Sequence, residues 1–336
     1  MKYEKYFDYR SDGLLKQVQP PKPGSSSSAG GEKGALRAGD RRDGLVYVYN
    51  DKIELAVNVA LVTGRPMLIR GPSGSGKSSL ARNVARRMRW WYYEQVITSR
   101  TQARDLLWTF DSLRRLSDAQ ANRLNENAAH YVEPGVLWWA FDPKRAAARV
   151  AGGGQVENRA TDPGIAPAEA GSAADGAVVL LDEIDKADPD VPNNLLVPLG
   201  SLEFRVKETG ALVEASRPLL IMITTNDERV LPNAFTRRCV TLNLEPPNEE
   251  LLVKIAREHY GPDKSGVYKA IARRVLEEMS AVRDAKVVGE NKHVPSTAEY
   301  LDTVRAFMDL GVDPETDAEA WRVISSATIW KDNPGL

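Results

Sequence analysis

The run Gly71-Pro72-Ser73-Gly74-Ser75-Gly76-Lys77-Ser78-Ser79 constrains the fold of this chain more than any other feature. It fits G-x-x-x-x-G-K-[ST], follows the apolar triplet Met67-Leu68-Ile69, and leads into Leu80-Ala81-Arg82-Asn83-Val84-Ala85, which has helical spacing. A strand, a glycine loop and a helix in that order predict an α/β fold with a parallel sheet sandwiched by helices. Glycines at 71, 74 and 76 let successive backbone N–H groups face inward, where with the helix N-terminus they form a nest for a phosphate. Lys77 is placed to reach the β- and γ-phosphates of a nucleoside triphosphate, and the Ser78 hydroxyl to ligate Mg²⁺.

About a hundred residues on, Ala177-Val178-Val179-Leu180-Leu181 is an apolar run closed by Asp182-Glu183. A central parallel strand reads this way when it delivers charge at its C-terminal edge. Asp182 suits the Mg²⁺ shell, and Glu183 suits the base that activates an attacking water. The two stretches together predict binding and hydrolysis of a nucleoside triphosphate, with ATP and Mg²⁺ as the implied ligands.

The remaining pattern sets the organisation. Residues 1–44 read as a short polar and aromatic segment with a flexible linker around Pro20 to Gly34, rich in Pro, Ser and Gly. Residues 45–246 carry the nucleotide motifs, and within them 151–176, made of small residues with little to bury, reads as a mobile loop. Strands are expected at Glu94–Thr98, Leu219–Ile223 and Val240–Leu244, a helix at Ala103–Leu116, and a hairpin at Leu202–Val206 with Leu212-Val213. Residues 247–336 hold four helical patterns, Asn248–Tyr260, Tyr268–Val282, Ser296–Leu310 and Ala318–Trp330, which predict a smaller all-α lid domain. Tyr47 and Tyr49 are expected to pack on the helix that follows them, with stacking on a nucleotide base as the alternative.

Composition narrows the function classes. A net charge of −1 gives no basic field for nucleic acid or an anionic membrane. The single cysteine, Cys239, excludes an internal disulfide and points to a reducing, cytoplasmic setting. No apolar run approaches membrane-spanning length.

With a strand ending in Asn226 and the pair Arg237-Arg238 before the last core strand, the motif set resembles an AAA+ ATPase, and within that superfamily the MoxR-like group. The phrases that carry the likeness are Glu183-Ile184-Asp185-Lys186-Ala187, Asn193-Asn194-Leu195-Leu196, and Leu231-Pro232-Asn233-Ala234-Phe235-Thr236-Arg237-Arg238. The resemblance implies a homo-oligomeric, usually hexameric, ring that remodels a protein client, often with a partner bearing a von Willebrand factor A domain. It implies Asn226 as the residue that orients the attacking water. Arg238, or Arg237 beside it, becomes the finger that reaches a neighbour's γ-phosphate. Relatives place a sensor arginine at a lid-helix start after a proline. Here Pro295-Ser296-Thr297-Ala298 has no cation, and Lys292 or Arg305 are the substitutes. Trp138 and Trp139 fall where the group carries an insert facing the ring pore; adjacent tryptophans are read first as local core and second as a client grip. The alternatives to a motor are a nucleotide-gated switch or scaffold, and a nucleic-acid-associated NTPase.

Overall fold

The computed structural model describes residues 5–10, 44–151, 164–165, 176–263, 266–287 and 294–330 of the chain. The expected linker and all but the ends and residues 164–165 of the expected mobile loop lie outside them. Lys292 does too.

In chain order the elements begin α1 Asp51–Thr63, β1 Met67–Arg70, α2 Lys77–Met88, β2 Trp91–Val96, α3 Ala103–Leu107, β3 Trp108–Phe110, α4 Ser112–Gln120, β4 Val132–Pro134, α5 Val136–Phe141, α6 Pro143–Ala151 and β5 Ala177–Asp182. There follow α7 Asp190–Asn194, α8 Leu196–Ser201, β6 Glu203–Arg205, β7 Leu212–Glu214, β8 Leu219–Thr225, α9 Asn233–Thr236 and β9 Val240–Asn243. Helices α10 Glu249–Tyr260, α11 Val267–Val287, α12 Thr297–Leu310 and α13 Ala318–Thr328 close the chain. Among the described residues no helix is long and apolar enough to cross a membrane.

Two compact units emerge. Among the described residues, the first comprises those within 5–10, Tyr49–Arg70 and Leu80–Asn243; the second comprises those within 44–48, Gly71–Ser79 and 244–330. The glycine loop therefore groups with the C-terminal helices, although the sequence assigns it to the α/β part.

The first unit is built on a parallel five-stranded sheet of order β2-β5-β8-β1-β9. Strand β5 is buried along its whole length, as its unbroken apolar run requires. Register brings Asp182 level with Val96 on one side, while Thr224 of β8 lies level with Ile69 of β1. The carboxyl ends of β1, β5 and β8 thus meet at one edge, where ligands bind in open parallel sheets.

The helix expected at Ala103–Leu116 is broken. Trp108–Phe110 pairs antiparallel with Val132–Pro134, because Trp108 is buried against Phe204 with ring centroids 5.8 Å apart. That tertiary contact outweighs the helical spacing of Leu106-Leu107. Trp138 and Trp139 are both buried in the same core, so they serve as packing and not as an exposed grip. Tyr49 is buried too, stacked on Tyr9 at 5.2 Å, with its hydroxyl donating to Asn83 Oδ1 at 2.8 Å.

The N-terminal residues 5–10 lie on α1. The buried amide of Asn58 accepts from the backbone N–H groups of Tyr6 and Phe7 at 2.7 and 2.9 Å and donates to the Phe7 carbonyl at 2.8 Å. Lys5 neutralises the buried Glu54 at 3.0 Å. Without that lysine a carboxylate would be buried unpaired, which is strongly destabilising.

The second unit has its own core, in which Leu252, Ile271, Val275, Tyr300, Val304 and Phe307 interlock. Helix α12 starts with a capping box: Ser296 Oγ accepts from the Glu299 N–H, and the Glu299 carboxylate accepts from the Ser296 N–H at 2.8 Å.

Candidate functional site

The glycine loop leaves β1 directly after Arg70. Gly74 and Gly76 hold φ of +70° and +86°, a region that costs any side chain strain. Space is short as well, prohibitively so at Gly74. A Cβ on Gly74 would lie 2.3 Å from the Ser296 side chain, and one on Gly76 would lie 3.3 Å from the Tyr47 ring. Lys77 Nζ donates to the Gly71 and Pro72 carbonyls, each at 2.8 Å, which draws the ammonium over the loop. Ser75 Oγ is buried without a partner, an orphan polar atom within the glycine loop. Ser78 and Ser79 sit at the start of α2. The lid position where a sensor cation was sought is filled by Ser296 against Gly74. Arg305 is engaged elsewhere, with Asp309 at 3.3 Å.

The acidic edge of the first unit is held by side chains far apart in sequence. Asp182 is buried, and its Oδ1 accepts from the Thr224 hydroxyl at 2.5 Å. The same hydroxyl oxygen accepts from the Glu183 N–H at 2.8 Å. One threonine thus fixes both the carboxylate and the backbone of the next residue. Glu183 is in the left-handed region, φ 63° and ψ 50°, a conformation that costs a non-glycine residue about 1–3 kcal/mol and that surrounding bonds must hold. The result is that the Glu183 side chain is partly exposed at the strand end while Asp182 stays buried.

Glu183 is paired with Lys186 Nζ at 2.7 Å. That bond is the main reason the Lys186 ammonium is held above its ordinary range. Asp185 is buried. Its Oδ2 accepts from the backbone N–H groups of Asn226 and Glu228 at 3.1 and 3.0 Å, and its Oδ1 has no partner. It clamps the turn that carries Asn226, so the expected water-orienting residue stands at the end of β8, beside the end of β5. Thr224 and Asp185 are the residues that the sequence reading left without a role. Their signals were present: a Thr-Thr pair directly before Asn226, and a third acid two residues after Glu183.

Arg237 and Arg238 follow α9, and both are exposed. Among the described residues neither has a carboxylate partner. Two unpaired guanidiniums on a short helical turn suit an anion supplied from outside the chain.

The residues fit the ligands expected of them. In the second unit, positive-φ glycines, a lysine and a hydroxyl at the helix start suit a phosphate; in the first, a buried aspartate beside a partly exposed glutamate suits the outer or inner shell of Mg²⁺, which takes one or two protein oxygens with phosphate and water completing the set.

A family model for the AAA domain (dynein-related subfamily) matches residues 66–239. No curated protein matches the chain in sequence. Among solved structures, a Cytophaga hutchinsonii protein provisionally described as an ATPase is 14% identical, covering 78% of this chain and 75% of that chain, with a TM-score of 0.39. The RuvB Holliday junction branch migration motor of Thermotoga maritima is 16% identical, covering 84% of this chain and 76% of that chain, with a TM-score of 0.38. Superpositions this loose say nothing about activity or partner.

Proposed function

The chain belongs to the AAA domain family, dynein-related subfamily, and from that premise we propose that it is a MoxR-like ATPase that hydrolyses ATP with Mg²⁺ in a ring of its own copies and so remodels or activates a protein partner. The observation that carries the hydrolytic part is the Thr224 bridge. It orients Asp182 and Glu183 at one strand end while Asp185 fixes Asn226 beside them. In this reading Glu183 and Asn226 act on the attacking water, a role that nucleotide binding alone does not call for.

In this reading the loop amides and Lys77 hold the β- and γ-phosphates, and Ser78 and Asp182 hold Mg²⁺. The metal, when bound, neutralises charge that develops on the phosphate oxygens. Glu183 accepts a proton from the attacking water, and Asn226 orients that water by hydrogen bonding. Arg238, with Arg237 as the alternative, stabilises the transition state on a neighbouring subunit's nucleotide, an effect commonly worth about a thousandfold or more. The ring, its hexameric order and a partner with a von Willebrand factor A domain rest on the MoxR-like phrases of the sequence. The exposed, unpaired state of both arginines supports a finger acting in trans.

The test is subunit mixing. Arg238→Ala and Lys77→Ala chains are each expected to be inactive alone and to recover part of the ATPase when mixed, at interfaces where an intact loop meets an intact finger. Specific activity of the wild-type chain is expected to fall on dilution, as mass action requires. Constant activity down to a demonstrated monomer, with no recovery on mixing, would remove both the ring and the finger.

A further inference from the structure

Residues 5–10 sit on α1 as a ligand sits in its site. Ile53, Ala56, Val57 and Ala60 are apolar buried positions of α1, but Glu54 and Asn58, one helical turn apart, are polar and just as buried. Both are engaged by the N-terminal segment. The Asn58 side-chain oxygen accepts from the Tyr6 and Phe7 N–H groups, and its amide nitrogen donates to the Phe7 carbonyl and, within the helix, to the Glu54 carbonyl at 2.9 Å. One side chain thus reads three main-chain groups of the segment.

Side chains add selection at alternate positions. Lys5 Nζ donates to both Glu54 carboxylate oxygens at 3.0 Å, Phe7 is 3% exposed with its ring 5.5 Å from that of Tyr49, and Tyr9 stacks on the same Tyr49 ring. Tyr6, between Lys5 and Phe7, is 62% exposed. Arg87 of α2 completes the site: its guanidinium lies over the Tyr49 ring at 5.2 Å, and one Nη donates to the Tyr9 carbonyl at 2.6 Å. Main-chain bonds that supply affinity, joined to pockets for alternate side chains, are a recurring mode of peptide recognition. The hold is light. Among residues 5–10 only Phe7 is fully buried, and the Arg10–Asp51 pair is too exposed to add much. A terminal segment held in this way opens at low free energy.

We propose that this face of α1 is an exchangeable peptide site, selective for the pattern Lys5-x-Phe7-x-Tyr9, and that the N-terminal segment of a second copy of the chain can replace the chain's own. Residues 11–43 join the segment to the rest of the chain, and a stretch of that length can reach at most about 110 Å. Its length does not confine the segment to its own α1. Every copy carries the same segment and the same face, so exchange needs no new contact: each bond broken within one chain is remade between two. The inference goes beyond the ATPase reading, since none of these residues is assigned to holding the nucleotide or activating water.

The test uses two complementary variants of the full chain. Asn58→Ala disables the face and keeps the segment, whereas Phe7→Ala disables the segment and keeps the face. With a fluorophore on the N-terminal amine of the Asn58→Ala chain, anisotropy is expected to rise saturably as unlabelled Phe7→Ala chain is added. The wild-type chain should be a poorer acceptor by about tenfold or more, because its own tethered segment competes at high effective concentration. A labelled chain that carries Asn58→Ala and Phe7→Ala together is expected to show no rise. An equal rise with that double variant would mean that the copies meet through other surfaces, and no rise with the single variant would mean that the segment does not exchange; either result overturns the proposal. Should a variant fail to fold, a labelled peptide of residues 2–11 titrated into the wild-type chain reads the same face. Saturable binding is expected, weakened at least about tenfold by Phe7→Ala within the peptide. Equal binding of the two peptides, or none, would overturn the site.

Discussion

The glycine loop and the acidic edge of β5 reach a fixed geometry by opposite routes. In the loop, conformation comes from residues next to one another: positive φ at Gly74 and Gly76, and Lys77 bonded to carbonyls five and six residues back. At the acidic edge the bonds that hold Asp182, the Glu183 backbone and the Asn226 turn span more than forty residues: Thr224 to Asp182 and Glu183, and Asp185 to Asn226 and Glu228. The loop is therefore a local device and the edge a tertiary one. A change in the loop should alter ground-state binding, whereas a change at the edge should alter turnover together with folding stability.

The largest expected effect breaks the comparison if it fails. Lys77→Ala should weaken ATP binding by at least about a hundredfold, whereas Glu183→Gln should bind ATP as the wild type does and lose turnover by about 10²–10⁴. Nucleotide affinity by fluorescence titration and steady-state hydrolysis separate the two; equal loss of affinity in both would remove Glu183 from its role.

Thr224→Val comes next, because it leaves the buried Asp182 carboxylate and the Glu183 N–H each short of a partner. A destabilisation of about 1–3 kcal/mol is expected, read as a lower melting temperature of the apo protein, with turnover down by about tenfold. A stable but inactive variant would mean that the hydroxyl acts in chemistry alone.

Asp185→Asn keeps the shape of the clamp and weakens the charge-assisted bonds to Asn226 and Glu228. Turnover should fall by up to about tenfold with KM for ATP unchanged, since the clamp positions a group that acts on water. A matching rise in KM would place Asp185 in substrate binding.

Lys186→Met should have the smallest effect and the opposite sign. The Lys186–Glu183 pair is partly exposed, with side chains 42% and 29% accessible, so it contributes no more than about 1 kcal/mol. Freeing Glu183 from it should raise turnover by no more than about fivefold. Because the Lys186 pKa is raised, the ammonium stays charged through the ordinary lysine range. The advantage of the variant should therefore persist from neutral pH into alkaline pH and shrink only beyond that range. A tenfold loss instead would show Lys186 helping the reaction.

Much of the sheet was legible in sequence because buried parallel strands are short apolar runs. Leu219–Thr225 and Val240–Asn243 arise where the expected strands were placed, and the four C-terminal helices fall within a few residues of their patterns. Strand β2 begins earlier than expected, at Trp91, because Trp91-Tyr92-Tyr93 pairs with Ala177-Val178-Val179. Pairing, not local composition, sets where it starts. The break at Trp108 was hidden for the same reason, since its partner Pro134 lies 26 residues away and its ring neighbour Phe204 lies further still.

By itself the sequence determined the glycine loop, the apolar strand that ends in two acids, and the helical C-terminal segment. Each depends on spacing within a few residues, where φ preference and hydrophobic period act directly. Only the tertiary structure decided that Thr224 bridges Asp182 and Glu183, that Asp185 clamps the turn of Asn226, that the paired tryptophans are core, and that Ser296 meets Gly74. Those outcomes depend on which buried polar groups find partners across the sheet and the helices, and burial is a property of the whole fold that no local pattern encodes.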